Sequence, residues 1–161
     1  MSGEVSGEVR GGGDSRVPPD GSGQDPFIGS FLQTTYRVNA GPAGAIDIRV
    51  GCASPALDDL LARHGAACWA LITAWNPMSR PLPHEENRAR AALLAAELRG
   101  RYVLFDGTGI GDAGDWPPEE SLLVLGIGEA DAVAIALRYR QRAIVAGEPG
   151  GEPRLMECLK E

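Results

Sequence analysis

The spacing of apolar and polar residues predicts three amphipathic helices. The first begins after Ser54, a good N-cap, and ends at Gly65, which suits the left-handed position that follows a helix. The second runs from about Pro83 to Arg99, and the third has an apolar face between residues 130 and 137. In each segment apolar residues recur at intervals of three and four, which is typical of a helix with one buried side.

Short alternating or apolar runs predict the strands. Residues 34–38 and 45–50 flank a turn rich in glycine and proline, so they are expected to form a hairpin. The nearly continuous apolar run 68–75 is typical of a central strand that is covered on both faces. Further strands are expected near residues 102–105, 121–125, 143–145 and 154–158.

The predicted element order is β-β-α-β-α-β-β-α-β-β. Because pairs of strands alternate with single helices, we expect an α+β fold with a mixed β-sheet. The sheet should have about six or seven strands, packed by three helices.

Composition divides the chain into a tail and one domain. Residues 1–26 hold only three aliphatic side chains beyond Met1 and are rich in glycine and acidic residues. Such a segment cannot bury enough apolar surface to offset the entropy of ordering it, so a disordered tail is predicted. Residues 27–161 are expected to form a single α+β domain.

Charge and cysteine content narrow the function classes. The net charge of -7 excludes a broad basic surface for nucleic acid or an anionic membrane. No apolar run approaches the roughly 20 residues needed to span a bilayer. Cys52, Cys68 and Cys158 are widely spaced and match no zinc motif with the two histidines. We therefore expect a cytoplasmic protein with reduced thiols, no metal and no cofactor.

A glycine-rich segment, Gly107-Thr-Gly-Ile-Gly111, follows one of the predicted strands. The dinucleotide motif needs its third glycine at the sixth position and a helix directly afterwards, and this segment has neither. Asp106, Asp112 and Asp115 would also repel a phosphate. We therefore expect residues 106–115 to form a flexible connection between strands rather than a phosphate-binding loop.

Polar residues that lack an obvious structural role point to a pocket. Thr73, Asn76 and Arg80 lie where the central apolar strand ends, and strand ends are common ligand sites. Asn87 and Gln141 fall on apolar helix stripes, where an unpaired amide costs a few kcal/mol. Two interpretations are open: these side chains are purely structural, or they line the pocket together with other polar groups. The full candidate set is Thr73, Asn76, Arg80, Asn87, Arg90, Glu119 and Gln141.

The same residues resemble those of a known family. The chain is similar, over about residues 34–146, to a bacterial family of domains of unknown function, DUF3293. The resemblance rests on Thr35-Tyr36, Thr73-Ala-Trp-Asn-Pro77, Glu86-Asn87 with Arg90, Gly107, Trp116-x-x-Glu119-Glu-Ser121 and Gln141-x-Ala143. It implies a domain type but no activity.

Three functions remain open. The first is binding of a small polar or anionic ligand, a class that includes nucleotide-like molecules, with Arg80 and Arg90 neutralising the anion. The second is catalysis in the same pocket, with Glu119 or Glu120 as a general base. The third is a protein-interaction or structural domain in which the polar residues satisfy one another. The sequence names no protein partner.

Overall fold

The computed structural model describes residues 27–114 and 116–159. The tail predicted for residues 1–26 lies outside the described residues. The elements of the described part are α1 (Ile28–Leu32), β1 (Thr34–Asn39), β2 (Ala45–Ile48), α2 (Pro55–His64), β3 (Trp69–Ile72), α3 (His84–Arg99), β4 (Val103–Gly111), β5 (Glu119–Leu125), α4 (Glu129–Arg138), β6 (Ala143–Gly147) and β7 (Arg154–Glu157). None of the helices in this part has the length and hydropathy of a membrane span.

The seven strands form one sheet in the order β2-β1-β4-β5-β3-β6-β7. The α+β class is confirmed, but the prediction of a mixed sheet is wrong, because each neighbouring pair in this sheet is antiparallel. The helices α3 and α4 do connect strands that run in the same direction. Each such pair is separated by one antiparallel strand, β5 in the first case and β3 in the second. The local sequence does not show that another strand lies between the two strands that a helix connects.

Helices cover both faces of the sheet. On one face α2 packs through Leu57, Leu60 and Leu61 against alternate residues of the strands. On the other face α3 and α4 pack through residues that include Leu94 and Ile135. The central strand β3 is buried at all four positions, which confirms the prediction from its continuous apolar run.

The predicted ends of α2 are confirmed. The Ser54 hydroxyl accepts a hydrogen bond from the backbone N–H of Leu57 at 3.2 Å, and Gly65 is left-handed with φ 60°. The prediction of three helices is incomplete, because α1 precedes the first strand. A helix of five residues is too short to show a helical period, so the apolar pattern could not reveal it.

The glycine-rich segment is a strand and not the expected loop. The strand β4 continues through Gly111 and pairs with β1 on one side and with β5 on the other. Local glycine content favours a loop, but pairing on both sides supplies the backbone hydrogen bonds of a strand here. Only part of the predicted loop, after Gly111, connects β4 to β5.

Gly147 makes the closest glycine contact with the core. It lies opposite Trp69, and a Cβ atom at this position would stand 2.9 Å from Cζ2 of the indole ring. We expect Gly147→Ala to lower the free energy of unfolding by about 2 kcal/mol, because the buried ring has little room to move. Urea denaturation measures this loss. A Cβ atom added at Gly100 would meet no atom within 4 Å, so Gly100→Ala should change stability little. Equal effects of the two substitutions would contradict the prediction.

Candidate functional site

A cavity of about 360 Å³ lies between α1 and the sheet. Its floor includes Leu71 and Val145, which belong to the core cluster on the α2 side of the sheet. One wall comes from α1 and its flanks, through Phe27, Ser30, Phe31 and Gln33. Further lining residues come from the segment after β3, from the connection between β4 and β5, and from the start of β6, including Trp75, Asn76, Asp112, Trp116, Gln141 and Arg142.

Two glycines of β4, Gly109 and Gly111, line this cavity without contributing side chains. Successive residues of a strand face opposite sides, so Gly107, Gly109 and Gly111 share one face. A Cβ on Gly107 would stand 3.0 Å from the Ser121 hydroxyl oxygen, and one on Gly109 would stand 3.5 Å from the Tyr36 ring. The glycines therefore make room for polar side chains of the neighbouring strands.

Glu119 is the carboxylate that the fold holds in place at this floor. Its Oε1 atom accepts hydrogen bonds from Asn76 Nδ2 at 2.6 Å and from Trp116 Nε1 at 2.7 Å. Gly109 pairs with Glu119 on one side and with Tyr36 on the other, so both side chains flank the glycine. Two neutral donors orient the carboxylate and occupy one oxygen, while Oε2 keeps its acceptor capacity.

Two hydroxyl groups at the cavity have no hydrogen-bond partner among the described residues. The Ser121 hydroxyl is buried and unpaired, and its residue is only 8% exposed. The Tyr36 hydroxyl likewise has no partner within this part of the chain. Burial, and secondarily the charge of Glu119, raise the pKa of Tyr36 above its usual range, so the phenol stays protonated. Both hydroxyls can therefore donate to and accept from a bound molecule.

The segment that follows β3 has an unusual backbone. Asn76, Met78 and Ser79 have φ values of 45°, 56° and 58°, in the left-handed region that favours glycine. Such residues cost about 1–3 kcal/mol each and persist only where surrounding contacts hold them. Met78 is held by its backbone N–H, which donates to the Arg140 carbonyl at 2.8 Å. Strain of this kind is concentrated at binding and catalytic sites.

Asn87 holds Asn76 in its left-handed conformation. The Asn87 side chain accepts from the Asn76 backbone N–H at 2.9 Å and donates through Nδ2 to Asn76 Oδ1 at 2.7 Å. Asn76 Oδ1 also accepts from the backbone N–H of Leu82 at 3.0 Å. Since Asn76 in turn donates to Glu119, the two amides connect the first turn of α3 to the cavity carboxylate.

Arg90 and Gln141 also hold the segment after β3, by donating hydrogen bonds to its backbone carbonyls. Arg90 donates to the backbone carbonyls of Ala74 and Tyr139, both at 2.8 Å. Gln141 Nε2 donates to the carbonyl of Trp75 at 3.0 Å. These side chains satisfy backbone groups that no strand partner could reach, because the chain leaves the sheet at this point.

The structure brings six of the seven predicted site residues together. Thr73, Asn76, Glu119 and Gln141 line the cavity. Asn87 and Arg90 belong to the same network but are not among the lining residues, so their role here is to position the segment after β3. Arg80 is exposed and lies apart from the cavity lining. The anion contacts predicted for Arg80 and Arg90 therefore find no geometric support.

The two glutamates of the catalytic hypothesis face opposite sides of the sheet. Glu119 lines the cavity, whereas Glu120 lines a separate groove of about 810 Å³ beside α3. There Glu120 lies 3.9 Å from Arg88, in a pair whose side chains are largely exposed. Of these two glutamates, only Glu119 is placed to contact a ligand in the cavity.

Several cavity residues were absent from the predicted set. They are Tyr36, Trp116, Ser121, Arg142 and the α1 wall. Alternation places Tyr36 and Ser121 each on one face of its strand, but the sequence does not show which strands are neighbours. The register across β1, β4 and β5 is needed to bring them together. Within the described residues, no cluster of three potential metal ligands is present.

One of the comparisons with known proteins finds a match. Residues 72–144 match the family model described as Protein of unknown function (DUF3293). This part of the chain is similar to the DUF3293 family. The resemblance noted from the sequence is thereby confirmed over this range. No curated protein and no solved structure matches the chain.

The DUF3293 match covers one side of the cavity. It includes the strained segment after β3, the two asparagines, Arg90, the glycine floor of β4 and both Glu119 and Ser121. It leaves out α1 and Tyr36, which precede residue 72. The DUF3293 region therefore carries the network that holds Glu119, and the preceding part of the chain completes the enclosure.

Proposed function

We propose that this protein binds a small organic molecule in the cavity between α1 and the sheet. The observation that carries the proposal is made at Ser121: the residue lines the cavity, and its buried hydroxyl has no partner among the described residues. A buried hydroxyl without a partner costs about 1–3 kcal/mol, and a ligand that bonds to it recovers this cost. The Trp75 indole N–H, buried in a residue of the same lining, also has no partner in this part of the chain.

The shape and composition of the cavity support the proposal. Its volume of about 360 Å³ is in the range of small-molecule sites. Aromatic side chains, Phe27, Phe31, Tyr36 and Trp116, surround a few convergent polar groups. Sites of this kind bind a mostly apolar body and orient it through its polar atoms.

Ser121→Ala tests the proposal with two readouts. We expect a stability within about 0.5 kcal/mol of the unsubstituted protein, or slightly above it, because the hydroxyl has no partner to lose. We also expect fragments that bind in the cavity to lose about fivefold to tenfold in affinity, the value of one hydrogen bond. Nitrogen-15 NMR titration of the full chain with a library of small aromatic and heterocyclic fragments measures both location and affinity.

Ser54→Ala is the matched control, since its hydroxyl caps α2. It should cost about 1 kcal/mol of stability and leave fragment affinity unchanged. If no fragment shifts the amide signals around Gly109 and Ser121, the cavity is not a ligand site. Native mass spectrometry of freshly purified protein would identify a co-purified molecule directly.

Catalysis in this cavity is the second candidate, favoured by the orientation of Glu119. Asn76 and Trp116 fix one carboxylate oxygen, and the other keeps the acceptor capacity that a general base uses. For a molecule that the protein converts, Glu119→Gln should lower kcat by about 100-fold or more. A bound molecule that is never converted would favour binding alone.

We also propose that the protein is bacterial, as the resemblance implies, and that it is cytoplasmic. Three free thiols among the described residues, Cys52, Cys68 and Cys158, are compatible with a reducing compartment. Burial raises the pKa of the Cys158 thiol to about 11, so this thiol is unreactive at neutral pH.

A further inference from the structure

The charge of Glu119 is the feature of the cavity that the fold leaves without a counter-ion. Two carboxylates line the cavity in the described part of the chain, Asp112 and Glu119. Asp112 is paired with Arg49 through two hydrogen bonds of 2.8 Å each. Glu119 has no ion pair with a described residue, and both of its donors are neutral groups.

A carboxylate held in this way favours a cationic donor. The two neutral donors occupy Oε1 and orient the group, but they do not neutralise it. A charged N–H that reaches Oε2 would form a charge-assisted hydrogen bond, which is about twice as strong as a neutral one. An anionic group at the same place would meet a like charge.

The sheet register provides space for such a group beside Glu119. Tyr36 and Glu119 stand on β1 and β5, on either side of Gly109. Two strand spacings separate their backbones by about 9–10 Å, and the glycine between them carries no side chain. The Tyr36 hydroxyl stays protonated and offers an additional polar contact across this space.

The remaining walls fit a flat apolar body. Phe31 and Trp116 line the same cavity. The ring of Phe27, which precedes α1, already faces the guanidinium of Arg142, which lies 4.3 Å from the ring centroid. Aromatic walls around a carboxylate attract an organic cation through both ring contact and charge.

We propose that the cavity selects an organic amine, with its protonated nitrogen against Glu119 and an aromatic or aliphatic body over Gly109. This inference rests on the proposed function and specifies its ligand class. It replaces the anionic ligand expected from Arg80 and Arg90, which do not line the cavity.

Three probes of matched shape test the inference. At neutral pH 2-phenylethylamine is cationic, 2-phenylethanol is neutral and phenylacetate is anionic, while the aromatic body is the same. NMR titration of the full chain with each probe should give the amine an affinity about tenfold or more above that of phenylacetate, with shifts around Gly109 and Glu119.

Glu119→Gln should abolish this preference. The glutamine carbonyl can keep the hydrogen bonds from Asn76 and Trp116, so the fold is preserved and only the charge is lost. Glu120→Gln is the matched control, because it makes the same change at the next residue on the opposite face of the sheet. It should leave the preference intact.

The outcomes separate the two proposals. If phenylacetate binds in the cavity as tightly as the amine or more tightly, or if Glu119→Gln leaves the preference unchanged, the amine inference is overturned and the cavity remains a ligand site. If other fragments occupy the cavity but the amine does not, the inference is overturned as well. If neither the probes nor the fragment library shift the cavity amides, the proposed function fails with it.

Discussion

Asn87→Ala is expected to lower the free energy of unfolding by about 3 kcal/mol. The Asn87 side chain is 2% exposed and forms three hydrogen bonds, two with Asn76 and one with the carbonyl of Leu82. Its removal leaves the partly buried Asn76 backbone N–H without this acceptor, in a residue whose left-handed conformation already costs energy. Urea denaturation followed by circular dichroism measures the loss.

Asn39→Ala is the matched control for this prediction. Asn39 is exposed and accepts one local hydrogen bond from the Gly41 N–H at 3.1 Å, so its loss should cost no more than about 0.5 kcal/mol. Amide hydrogen exchange should also show faster exchange around Asn76 in the Asn87 variant. Equal stability of the two variants would mean that the amide network does not hold the segment after β3.

Arg90→Ala is expected to cost about 3–4 kcal/mol of stability. Its guanidinium joins two separate segments, through the carbonyl of Ala74 after β3 and the carbonyl of Tyr139 at the end of α4. Each is a hydrogen bond from a charged donor, worth about 1.5–3 kcal/mol. The substitution also removes the contact between the guanidinium and the Tyr139 ring, 5.8 Å from its centroid. The same denaturation measurement applies.

Two further variants define the role of Arg90. Arg90→Lys should recover only part of the loss, because an ammonium lacks the planar fork that spans two carbonyls. Arg88→Ala removes an arginine of the same helix that is largely exposed, and it should change stability by less than about 0.5 kcal/mol. If Arg90→Ala kept full stability but lost fragment binding, Arg90 would have to be a ligand contact after all.

Part of the candidate site could be predicted from the properties of single residues. A buried amide must be paired, so Asn87 and Gln141 on apolar helix stripes could be recognised as network residues without a structure. Whether such a residue faces a cavity or a backbone carbonyl depends on the geometry of the segment it contacts. Asn87 and Arg90 bind that backbone, and Glu119 faces the cavity.

The α1 wall and Tyr36 illustrate what escapes prediction. A five-residue helix has no measurable period, and an aromatic residue in an alternating strand is most simply a core residue. Tyr36 becomes a site residue because β1 and β5 both pair with β4, at Gly109. This pairing joins residues about 80 positions apart along the chain, and no local pattern encodes it.

Local chemistry was enough to establish the α+β class, the caps of α2, the burial of β3 and the set of polar side chains that needed partners. These features depend on neighbours within a few residues, through helix capping, strand alternation and the cost of unpaired polar groups. Strand order, the antiparallel sheet and the cavity depend on contacts between distant segments. The glycines of β4 show the difference most clearly: their number was visible along the chain, but their place as a cavity floor beside Glu119 exists only once the strands are in register.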